Sequence, residues 1–119
     1  MKSDSSRFIY TDATQLDTVI TSHSSGLKKV LSQGFQHNFK IKQIAIGILK
    51  EGVAIPEHRH NDMDECYYIL EGHGTVQIEG QTFTLQPELF INIPAGSLHK
   101  FESRSPLLRF LYFCLELST

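Results

Sequence analysis

Lacking from these 119 residues is any apolar run long enough to cross a bilayer. The most apolar stretch, Leu107 to Leu117, is broken by Arg109 and falls well short of the roughly 20 residues a spanning helix needs. The N-terminal MKSDSSRFIY is polar and carries no apolar core of a secretory signal, so a cytoplasmic protein with no membrane partner is expected. Basic excess is lacking too: eleven Lys and Arg face thirteen Asp and Glu, for a formal net charge of −2. With a pI near 6.3 the chain offers no positive field to gather phosphates, and nucleic acid is not an expected partner. Cysteine occurs only twice, as Cys66 and Cys114, without the CxxC spacing of a redox pair or zinc knuckle. In a chain able to build its own core, both read as free, buried thiols without chemistry.

What is present is ordinary for a globular domain: 40% apolar and 20% charged residues. A single domain of this length removes roughly two thirds of its unfolded surface from water, so it needs no staple to fold.

The hydrophobic pattern from Gly26 onward has period two rather than 3.6. In Lys40 to Leu49, Ile44, Ile46 and Ile48 fall on one face, as a half-buried strand requires. Further strands are predicted at Leu27–Leu31, Cys66–Leu70, Thr75–Ile78, Thr82–Leu85, Leu89–Ile93 and Leu107–Leu117. The turn signals between them are Gly72-His73-Gly74, Glu79-Gly80-Gln81 and Pro94-Ala95-Gly96. Many short strands with almost no helix describe an all-β sandwich or barrel. Residues 1–25 are rich in Ser, Thr and Asp, with apolar anchors only at Phe8–Tyr10 and Leu16–Ile20. They read as an N-terminal arm with a short turn or helix, leaving 26–119 as one barrel domain.

His58 and His60 stand two apart, so on an extended strand both imidazoles point to one side while Arg59 faces away. The polar turn Asn61-Asp62-Met63-Asp64 can reverse the chain and bring the Glu65 carboxylate back against the two rings. The returning strand sends Glu65, Tyr67 and Ile69 to one face and Cys66, Tyr68 and Leu70 to the other. His99 lies far along the chain and arrives only through tertiary folding. Imidazole and carboxylate donors suit one divalent transition metal ion: zinc, iron, manganese, nickel, cobalt or copper. Tyr67, Ile69 and Phe101 are candidates to line the cavity beside it. His23, His37 and His73 sit in polar segments or turns and read as solvent-facing.

The stretch from Gly52 to Gly72 resembles the first motif of the cupin superfamily, G-x5-H-x-H-x4-E-x6-G, with every defined position filled. Pro94-Ala-Gly96-Ser-Leu-His99 is similar to the P-x-G-x2-H heart of the second motif, whose leading Gly position is Glu88 here and whose trailing Asn position is Ser103. The resemblance spans Gly26 to Leu117. It implies a jelly-roll barrel whose interior holds a metal on His58, His60, Glu65 and His99, with water in the remaining positions.

A metal in an open pocket supports three uses. A small organic molecule in the cavity can be oxidised in a dioxygenase-like reaction. A sugar or keto compound can be isomerised or epimerised. Without catalysis, the barrel can serve as a small-ligand sensor. No catalytic base separate from the ligands stands out. The C-terminal strand, apolar on both faces, and the N-terminal arm together lead to an expected homodimer.

Overall fold

The computed structural model describes residues 8–22, 26–33 and 38–118; His23 and His37 lie outside them. Eleven strands follow in chain order: β1 (Ile9–Asp12), β2 (Val19–Ile20), β3 (Leu27–Lys28), β4 (Phe39–Lys50), β5 (Ala54–His58), β6 (Met63–Glu71), β7 (Gly74–Ile78), β8 (Gln81–Leu85), β9 (Leu89–Ile93), β10 (His99–Ser103) and β11 (Leu107–Leu117). One 3₁₀ turn, Ala13–Gln15, is capped by the Asp12 carboxylate, which accepts from Thr14 N. The strands form a five-stranded sheet in the order β1-β9-β6-β11-β4 and a four-stranded sheet in the order β5-β10-β7-β8, every pair antiparallel. This is the jelly-roll sandwich that alternating short strands predict.

The inward faces of both sheets make one core. Tyr67 and Ile69 of β6, Ile91 and Ile93 of β9, Phe110 of β11, Val76 and Ile78 of β7 and Phe101 of β10 pack together. The predicted division of β6 therefore holds, since Cys66 and Tyr68 belong instead to a smaller cluster with Phe90, Phe113 and Leu115 on the outer side of the five-stranded sheet. Both cysteines are free and buried. Gly47 of β4 is needed beneath the Phe110 ring, whose Cε1 lies 2.3 Å from where a Cβ would stand.

Several expectations are corrected. Ile44, Ile46 and Ile48 are not half-buried but 54, 51 and 59% exposed. Period two identified the strand, but β4 lies at the edge of its sheet and, among the described residues, no second layer covers its isoleucine face. The predicted strand Leu27–Leu31 is only the two-residue β3, which pairs with β2 in a separate ribbon. His60 lies just beyond β5, which ends at His58, and the reversal before Glu65 is shorter than expected because β6 already begins at Met63. Part of the segment read as an arm, β1, pairs along β9, and Tyr10 on it donates its hydroxyl hydrogen to the Thr84 carbonyl of β8 in the other sheet.

Glu88 has φ +71°, in the left-handed region that favours glycine. That explains why the resembling motif has Gly there.

Candidate metal centre

The site is assembled by strand pairing. β5 and β10 run antiparallel with His58 directly opposite His99, and their rings lie 4.3 Å apart between centroids. The loop before β10 is tied down at the same place: Gly96 N donates to His60 O at 2.7 Å, and Ala95 N donates to the Asp64 carboxylate at 2.9 Å. β6 of the facing sheet then brings Glu65 in from the other side. Its oxygens stand 3.2 Å from His99 Nε2 and 3.8 Å from His60 Nε2. Candidate ligand atoms of His58, His60, Glu65 and His99 all lie within 4.8 Å of one another.

The residue environments differ in a way that suits one bound cation. Glu65 and His99 are buried at 6 and 2% exposure, while His58 and His60 are half-buried toward the open side. Two imidazoles are held from behind, His58 Nδ1 against Pro56 O at 2.8 Å and His99 Nδ1 against Ser97 O at 2.9 Å. A ring nitrogen facing a carbonyl carries the proton, so Nε2 is the basic atom turned to the cluster. Burial by itself pushes the Glu65 carboxyl up. Its contacts with His99 and Tyr67, together with the neighbouring His60, outweigh that and bring it below the ordinary carboxylate value, so the group is an anion at neutral pH.

His99 Nε2 carries the clearest sign of a missing partner. Among the described residues this buried atom has no hydrogen-bond partner: Glu65 Oε1 stands 3.2 Å away, so a basic ring nitrogen and a carboxylate oxygen face each other with no cation between them. A buried nitrogen left in this condition costs free energy. Three imidazole nitrogens and a carboxylate oxygen are the donor set of a divalent transition metal, and such an ion would satisfy the orphaned nitrogen.

All four residues singled out in the sequence thus come together. Of the cavity candidates, Tyr67 meets the site directly, its hydroxyl donating to Glu65 Oε1 at 2.8 Å. Phe101 packs beside it, its ring tilted 44° to that of Tyr67, and stands 6.3 Å from the His99 ring. Ile69 is buried further along β6 within the core. His73 is exposed in its turn. Sequence reasoning overlooked Asp64, whose buried carboxylate anchors the loop leading to His99; an acid in a polar turn carries no signal of that role.

Comparison with known proteins agrees with this geometry. The family described as Cupin domain matches residues 45–114, more than half of the chain. An uncharacterised protein of Methanocaldococcus jannaschii is 28% identical over 97 residues, 82% of this chain and 77% of that protein. Quercetin 2,3-dioxygenase of Bacillus subtilis is 35% identical over 51 residues, which are 43% of this chain but only 15% of that enzyme. Among solved structures, a predicted oxalate decarboxylase of Thermotoga maritima superposes with a TM-score of 0.62 at 26% identity, covering 66% of this chain and 69% of that one.

Proposed function

The chain belongs to the cupin family, and from that premise we propose that it is a metalloprotein acting on a small organic molecule in the barrel, with dioxygenase-like chemistry. The observation that carries this reading is the orphaned His99 Nε2 inside a ring of His58, His60 and Glu65. The stretch shared with a quercetin dioxygenase supports the choice of reaction.

A divalent transition metal bound by these four residues supplies Lewis acidity toward a substrate oxygen and, where redox-active, electron exchange with dioxygen. The protein's own part is to hold and to shape. Nδ1 of His58 and His99 is committed to backbone carbonyls, so neither ring rotates away from the cluster. Glu65 supplies the one negative charge, balancing half of a divalent cation. Phe101 and Tyr67 form an apolar wall on the core side, which limits water to the side of His58 and His60, where a substrate enters. An ion that takes six donors would keep room for water or substrate beside these four residues.

The test is to load the apo-protein with ferrous iron under nitrogen, add nitric oxide as a dioxygen mimic and record electron paramagnetic resonance. A spin-coupled iron–nitrosyl signal is expected. Iron that binds but gives no such signal means a closed site and contradicts the proposal.

We further propose that the protein is a cytoplasmic homodimer. Ile41, Ile44, Ile46 and Ile48 form an exposed apolar stripe on the outer face of the edge strand β4, and a second copy packed over that face would remove it from water. Among the described residues, no helix is long and apolar enough to cross a membrane. Light scattering at micromolar concentration should return twice the 13.5 kDa of one chain; the single-chain mass overturns the dimer.

A further inference from the structure

Tyr67 brings to the site a buried hydroxyl for which the metal reading so far has no use. Its ring is fixed by Phe101 at 4.7 Å, Phe110 at 5.5 Å and Tyr112 at 5.6 Å between centroids, so the hydroxyl can point in few directions. It points at Glu65, two residues earlier on the same face of β6, and donates to Oε1 at 2.8 Å. The other oxygen, Oε2, has weaker company: His60 Nε2 at 3.8 Å and the Cys114 thiol at 3.9 Å.

A glutamate side chain has three rotatable bonds, and a carboxylate can offer a cation one oxygen or both. Nothing in the strand backbone chooses between these. A rigid phenol bound to Oε1 does choose, because it pins the plane of the carboxylate and occupies a lone pair of one oxygen.

We infer that Tyr67 is a positioning residue that holds the Glu65 carboxylate in a single orientation, its hydroxyl fixing Oε1 beside His99 Nε2. The inference rests on the proposed metal site. It concerns the aim of one ligand, not whether the ligands bind, and this separates it from a packing role that any aromatic ring at position 67 would fill.

Tyr67→Phe keeps the ring and removes the hydroxyl. Cobalt(II) is added to the wild type, Tyr67→Phe, Glu65→Gln and the double variant, and both the dissociation constant and the visible absorption band are recorded. The expected result is one cobalt per chain in Tyr67→Phe, with affinity down 10- to 100-fold, the range typical of losing an outer-shell partner of a ligand, and a changed band. In the Glu65→Gln background the same substitution should alter affinity less than about twofold, because the group it positions is gone. An unchanged affinity and band in Tyr67→Phe overturns the inference while leaving the metal site standing. An equal loss with and without the Glu65 carboxylate also overturns it, since that is a packing effect. A wild type that takes up no cobalt overturns the metal reading itself, and the inference with it.

Discussion

The two faces of the five-stranded sheet carry similar side chains and behave differently. On the inner face Ile69, Ile91, Ile93 and Phe110 are at most 2% exposed. On the outer face Ile44, Ile46 and Ile48 of β4 remain more than half exposed, and a cavity of about 630 Å³ opens beside Leu31, Phe90 and Phe113. Apolar character therefore does not tell inside from outside in this molecule. The facing sheet does: Glu65 on the inner face of β6 meets His99 of β10 across the core, and both are buried, where leaving water is costly for a polar group without a partner. The inner face carries the main core and the candidate site together, whereas the outer face carries only the smaller cluster of Cys66, Phe90 and Leu115.

Truncation should break the symmetry of composition most visibly. Phe101→Ala, at 1% exposure and packed between Tyr67 and Phe110, should cost about 3–5 kcal/mol of unfolding free energy. Ile46→Ala, on the open face, should cost about 0.5 kcal/mol in the monomer. Urea unfolding of both variants at a concentration too low for association checks the contrast. Equal losses would mean that the outer face is covered within the chain.

A smaller effect concerns Cys66, which belongs to the outer cluster but is itself only 7% exposed. Burial, with Asp64 and Glu65 nearby, pushes its thiol up to about 11. The folded value exceeds the unfolded one, so the stability it lends is complete below about pH 8.5 and is lost as pH rises toward 11. Iodoacetamide at pH 8 should therefore leave Cys66 unmodified in the native protein and alkylate it in urea. Rapid native labelling would show that the outer cluster opens readily.

How much of this was legible beforehand follows the same division. β9 and β11 are bounded to the residue by their flanking turn signals, because the apolar runs Leu89–Ile93 and Leu107–Leu117 stand between strong punctuators. The clustering of the four candidate residues is legible from spacing for His58, His60 and Glu65, and from the family motif for His99. The isoleucine face of β4 was misread, since alternation marks a strand with two unlike faces but not which face another layer covers. The Asp64 and Tyr67 roles were out of reach for a different reason. Both depend on distances between side chains, to Ala95 N and to Glu65 Oε1, and these are set by the rotation of each side chain and not by residue spacing.

The direct test is the metal content of protein purified after loading with a divalent transition metal and removal of excess, measured by elemental mass spectrometry. Wild type should retain about one ion per chain. His58→Ala/His60→Ala should retain almost none, because two of the four donors are gone, and Glu65→Gln should fall between them, since an oxygen donor remains without its charge. Full occupancy in the double histidine variant, or a wild type that holds no ion, would contradict the assignment of His58, His60, Glu65 and His99 as a metal centre.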